Sequence, residues 1–143
     1  MSNLRLPYHE LSEAALQGLR SVKKYLEQSS LDRRLLELVY LRVSQINGCA
    51  FCLDMHSKAL RAHNESQQRL DALAGWHASS LFSARERAAL QWAESLTHVS
   101  QTHAPDADYL PLTQHFSDQE ISDLTFAIAN MNALNRLAIG MRQ

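Results

Sequence analysis

Asn47-Gly48-Cys49-Ala50-Phe51-Cys52-Leu53-Asp54-Met55-His56 carries the only two cysteines of the chain, three residues apart, with a histidine four residues further on. Asn47-Gly48 is a turn signal, so a helix is expected to begin beside Cys49. At about 100° per residue, positions 49, 52 and 56 fall within roughly 60° of one another, and two thiols and an imidazole share one helix face. The amides and macrodipole of a helix start favour a thiolate there. The stretch before it, Leu35-Leu36-Glu37-Leu38-Val39-Tyr40-Leu41, is apolar nearly all round, as expected of a helix buried on most sides. A tight turn between the two predicts an antiparallel helical hairpin, and that hairpin sets the fold.

Three readings of the cysteine pair compete. Inert buried thiols behave as small apolar groups. A zinc site needs four ligands when structural, or three and an open position when catalytic. Cys49, Cys52 and His56 supply three, and His63 would lie about 10 Å further along the helix axis, too far to join them. A haem attachment would require histidine directly after the second cysteine, where Leu53 stands. A redox dithiol uses every residue of the motif and is the preferred reading, with no metal and no further cofactor.

Glu37 adds to it. A carboxylate buried without a partner is costly. Glu37 lies about 15 Å before the turn and His56 about 12 Å after it, so the two are expected nearly level across the hairpin. Pairing with Arg33, Arg42 or Arg136 is the structural alternative. Tyr40 and Ser44 follow on the face of Glu37. A carboxylate on one imidazole nitrogen raises basicity at the other, which can then take a proton from a thiol. A thiolate cleaves a peroxide O–O bond and becomes a sulfenic acid. A neighbouring thiol condenses with that to a disulfide, and an outside dithiol reduces it again.

The chain has 143 residues, a formal charge of −1, and 45% apolar against 20% charged residues, which suits one domain spanning 1–143. Near-neutral charge gives no electrostatic case for nucleic acid or an acidic membrane surface. Residues 1–7 hold no apolar run of signal-peptide type and no segment has the length of a membrane span, so a cytoplasmic protein is expected. There a Cys-x-x-Cys is more often redox-active than structural.

With four glycines and three prolines, helical periodicity runs nearly throughout, and an all-α fold is predicted. Helices are expected over about 11–27, 32–46, 49–63 and 67–74, the last ending at Gly75. Capping boxes at Ser83…Glu86 and Ser117…Glu120 open two more. The last and longest carries the stripe Ile121, Leu124, Ile128, Met131, Leu134 and Ala138. A short helix is expected within 105–116. Asn130, Asn132, Asn135 and Arg136 are read as core or interface hydrogen-bonding groups, Trp76 and Trp92 as anchors. The remaining histidines are read as surface or capping residues.

The spacing Glu37-x11-Cys49-x2-Cys52-x3-His56 resembles the signature of the AhpD-like alkylhydroperoxidases, within the carboxymuconolactone decarboxylase superfamily. Pro7-Tyr8, the segment from Ser83 to Leu90 and the segment from Asn132 to Leu137 also resemble family segments, so the likeness covers almost the whole chain. It implies a compact all-α domain assembling as a homo-oligomer, a trimer or hexamer. It also implies a thiol-dependent peroxidase acting on a peroxide with an external dithiol or disulfide-reductase electron donor. Cys52 would attack peroxide, Cys49 would resolve, and Glu37 and His56 would relay protons. Helix-dipole reasoning alone favours Cys49 as the nucleophile. Phe51 stands where some members have histidine. A disulfide reductase or redox-sensing module is the alternative activity, and a scaffold without enzymatic activity is a third.

Overall fold

The computed structural model describes residues 3–143, and among them every regular element is helical. In chain order these are α1 (Tyr8–Leu11), α2 (Glu13–Glu27), α3 (Arg33–Asn47), α4 (Ala50–Ala62), α5 (Gln67–Ala72), a 3₁₀ segment (Leu73–Ala78), α6 (Ala84–Thr97), α7 (Val99–Thr102), α8 (Asp106–Tyr109), a second 3₁₀ segment (Leu110–Gln114) and α9 (Asp118–Met141).

Helix α3 is the axle. It packs on α4, α6 and α9 at once, and every residue from Leu35 to Leu41 is buried. One side of it (Leu36, Val39, Tyr40, Val43) meets Ala89, Trp92 and Ala93 of α6 and Leu124, Ile128 and Met131 of α9. The other side (Leu38, Leu41) meets Leu60, Leu73, Trp76 and Leu90. Each leucine taken fully out of water contributes about 2 kcal/mol, so two cores sharing one helix fix its position firmly.

The starts of the helices follow local chemistry. Asp32 caps α3, its carboxylate accepting from the Leu35 N–H at 2.8 Å. Both capping boxes form, at Ser83 with Glu86 and at Ser117 with Glu120. Gly48 ends α3 in the left-handed region at φ 69°, which suits glycine, and reverses the chain into α4.

Two expected boundaries differ. The helix expected over 11–27 breaks at Ser12, whose φ of −127° and ψ of 42° are not helical, although hydrogen bonds from Ser12 to Tyr8 and from Leu16 to Ser12 carry across it. The helix expected to stop at Gly75 instead ends at Ala72 and tightens into the 3₁₀ segment, because Leu73 and Trp76 are both buried and hold the following turn against the core.

The asparagines on α9 do structural work. Asn47, the last residue of α3, donates to Asn132 and Asn135, both at 3.0 Å, and Asn135 donates to Ser44 at 3.1 Å. Arg136 in turn donates to Asn132. These bonds tie the turn that carries Cys49 to the longest helix of the molecule.

Candidate active site

Cys49 is the N-cap of α4, one residue ahead of the first turn, and Cys52 sits inside that turn. The two are joined as a disulfide, with Cα atoms 5.3 Å apart. Both are buried against Ala138 of α9. Cys49 Sγ accepts weakly from the Cys52 N–H at 3.4 Å, so one sulfur of the disulfide caps the helix that carries the other. Local geometry therefore sets both sulfurs where helix amides favour negative charge.

Across the hairpin, His56 Nδ1 lies 2.7 Å from Glu37 Oε2, with both side chains almost fully buried. Arg33 Nε approaches the other oxygen of Glu37 at 3.4 Å. The two expected pairings of Glu37 thus coexist, the histidine within and the arginine at the edge. Arg42 goes to Glu94 instead, and Arg136 to Asn132.

Burial alone pushes the Glu37 carboxyl up, but the hydrogen bond and charge of His56, with Lys23 and Arg33, outweigh it and hold the group below the ordinary carboxylate value. An ionised Glu37 accepts from Nδ1–H, which in a neutral imidazole leaves the lone pair on Nε2. That Nε2 is buried and has no hydrogen-bond partner among the described residues. Buried polar atoms are nearly always paired, so this nitrogen stands out among the described residues. The Tyr40 ring lies 5.3 Å from the imidazole, centroid to centroid. Burial and the nearby Glu37 charge raise the Tyr40 hydroxyl well above its usual range, so it stays protonated.

A cleft of about 450 Å³ opens over the site, with Cys52, Phe51 and Met55 of α4 on one wall and Met131, Leu134 and Ala138 of α9 on another. Cys52 lines it and Cys49 does not. Of the residues the sequence brought forward, Glu37 meets His56 across the hairpin and Cys49 meets Cys52 at the start of α4, the helix that also carries His56. The sequence left out the rim of the cleft: Tyr8, Arg20, Lys23 and Gln143 arrive from both ends of the chain. Their spacing gives no hint of this, because only tertiary packing joins α1 and α2 to the end of α9. His9, read as a surface residue, also reaches the rim. His63, His98, His103 and His115 stand at helix ends, and His77 stacks on Trp76 and pairs with Glu94. Among the described residues no three His, Cys, Asp or Glu side chains converge as metal ligands, and no helix is long and apolar enough to cross a membrane.

Known proteins share this arrangement of helices. The sequence pattern of the Carboxymuconolactone decarboxylase family matches residues 11–95. The uncharacterized protein YdfG of Bacillus subtilis is 36% identical over 137 residues, covering 96% of this chain and 93% of YdfG. The uncharacterized protein YnjA of Escherichia coli is 35% identical over 115 residues, covering 80% of this chain and 63% of YnjA, so the chain spans less than two thirds of that relative. A crystal structure from Agrobacterium tumefaciens, of a protein of unknown function proposed as an antioxidant defence protein AhpD, superposes with a TM-score of 0.94 at 38% identity, over 99% of this chain and 97% of that one. An uncharacterized peroxidase-related protein from a Silicibacter species superposes with a TM-score of 0.78 at 28% identity, over 88% of this chain and 67% of that one. The chain belongs to the carboxymuconolactone decarboxylase family and has the AhpD-like fold.

Proposed function

We propose that the protein is a thiol-dependent peroxidase that reduces organic hydroperoxides through its Cys49–Cys52 pair. The observation that carries this reading is the buried His56–Glu37 hydrogen bond, with an unpartnered Nε2 on the helix of a disulfide whose Cys52 faces a cleft. In the reduced state the imidazole accepts the Cys52 proton, and Glu37 holds its tautomer and steadies the cation that forms. The thiolate sulfur bonds to the terminal oxygen of the hydroperoxide, the O–O bond breaks, and the alkoxide leaves as an alcohol on taking up the proton. Cys52 is then a sulfenic acid. The Cys49 thiol displaces hydroxide from it, which leaves as water with the thiol proton, and the disulfide results.

An external dithiol, small or protein-borne, returns two electrons and two protons by exchange, so no bound cofactor is required. The relatives described as peroxidase-related or of antioxidant type support this assignment. Cys52 rather than Cys49 is given the attack because it alone of the two lines the cleft. The test is dithiothreitol-dependent consumption of tert-butyl hydroperoxide. Wild type is expected to turn over and Cys52→Ser to fall to the uncatalysed rate; equal turnover by the two would overturn the proposal.

A further inference from the structure

The cleft has two kinds of wall. Leu16, Phe51, Met55, Met131 and Leu134 make it apolar around the sulfur, while Arg20 and Lys23, one turn apart on α2, bring two positive charges to its rim. Five other arginines are ion-paired, Arg33 to Glu27 and Glu37, Arg34 to Glu65, Arg42 to Glu94, Arg69 to Glu65 and Glu86 and Arg85 to Glu120, while Arg5, Arg87, Arg136 and Arg142 donate to carbonyl or amide oxygens. Neither Arg20 nor Lys23 has a carboxylate within ion-pair distance among the described residues, although Glu13 and His9 also reach the rim. Two cations at the mouth of an apolar cleft, neither in a direct ion pair although Lys23 also acts at longer range on Glu37, match a ligand with an apolar body and an anionic end. At about 450 Å³ the cleft is also far larger than hydrogen peroxide requires, a water occupying about 30 Å³ in the liquid.

We infer that the cleft selects carboxylate-bearing apolar hydroperoxides, the chain lying against the α4 and α9 walls and the carboxylate held by Arg20 and Lys23. The hydroperoxide half of this inference rests on the peroxidase reading; the carboxylate half does not. The carboxylate takes no part in the redox step. It orients the peroxide group toward Cys52 and is unchanged in the product alcohol.

The test compares linoleic acid hydroperoxide with its methyl ester, in wild type and in Arg20→Gln/Lys23→Gln, with dithiothreitol as reductant. The readout is the acid-to-ester ratio of kcat/KM, from which any effect of Lys23 on Glu37 cancels. A ratio of about ten or more in wild type, falling to about one in the double variant, is expected for a charge-assisted contact. A ratio near one in wild type, or one that survives the double substitution, overturns the inference. Calorimetric binding of octanoate and 1-octanol to the oxidised protein supplies a second arm. Should neither hydroperoxide be consumed, the peroxidase reading falls and this arm decides the carboxylate site alone. Octanoate binding tighter than octanol, and lost in the double variant, upholds the site; equal binding removes it.

Discussion

Glu37 on α3 and Glu65 beyond the end of α4 are both buried carboxylates, with side chains 2% and 1% exposed. Both are held below the ordinary carboxylate value, because their partners outweigh the cost of burial. They differ in where their networks end. Glu65 accepts from Arg69 Nε at 2.8 Å, from the Ser66 N–H at 3.1 Å and from Arg34 at 3.3 Å, and Arg69 runs on to Glu86 and to the Leu81 carbonyl. Every donor there is a permanently charged guanidinium or an amide, and nothing is left to exchange a proton. Glu37 ends on an imidazole whose second nitrogen is unpaired, on the helix of a dithiol. Burial of an acid therefore does not by itself mark function. A network closed by arginines has no proton to exchange, and the one ending on the imidazole is where the proposed relay sits.

The sharpest way to break that contrast is Glu37→Gln, which keeps the shape and removes the charge. Hydroperoxide turnover is expected to fall by about a hundredfold, the usual worth of positioned acid–base help, while thermal stability falls only by what the depressed carboxyl contributes, because the amide oxygen still accepts from Nδ1. A loss of activity that tracks unfolding would instead place Glu37 beside Glu65 as a structural group.

Arg69→Met should do the reverse. Leaving Glu65 and Glu86 without their shared partner is expected to cost about 3 kcal/mol in urea unfolding, with kcat of the folded protein unchanged. The same variant carries a smaller pH effect. The Glu65 and Glu86 carboxyls hold their protons less readily folded than unfolded. The stability they contribute is present above the ordinary carboxylate pKa of 4.5 and is lost as pH falls through their lower folded values. Between about pH 5 and pH 3 wild type should lose stability more steeply than Arg69→Met, which has little of that term left to lose.

The parts of this architecture legible in the chain are local or periodic. The α3–α4 hairpin follows from an apolar run, one Asn-Gly turn and a helix start. The level placement of Glu37 and His56 follows from rise per residue alone, and the 2.7 Å contact agrees. The capping boxes at Ser83 and Ser117 needed only four residues each to announce themselves. The rim of the cleft has no such signature. Tyr8 bonds Gln143, and Arg5 bonds the Met141 and Gly140 carbonyls, joining segments far apart in the chain beside the cleft that Cys52 lines. No spacing rule links residues so far apart. The break at Ser12 is hidden for a related reason, since backbone hydrogen bonds continue across it and the apolar stripe gives no warning. The choice between the sulfurs divided the sequence reading, because helix-dipole reasoning favours Cys49 while the family resemblance implies Cys52, and of the two it is Cys52 that lines the cleft.

Which sulfur meets the peroxide is therefore the point to measure. Reduced Cys49→Ser protein, treated with one equivalent of tert-butyl hydroperoxide and a sulfenic-acid trap, should carry a single adduct on Cys52 by peptide mass spectrometry, while Cys52→Ser treated alike should carry none. An adduct on Cys49 in Cys52→Ser, with Cys52 unmodified in Cys49→Ser, would contradict the account.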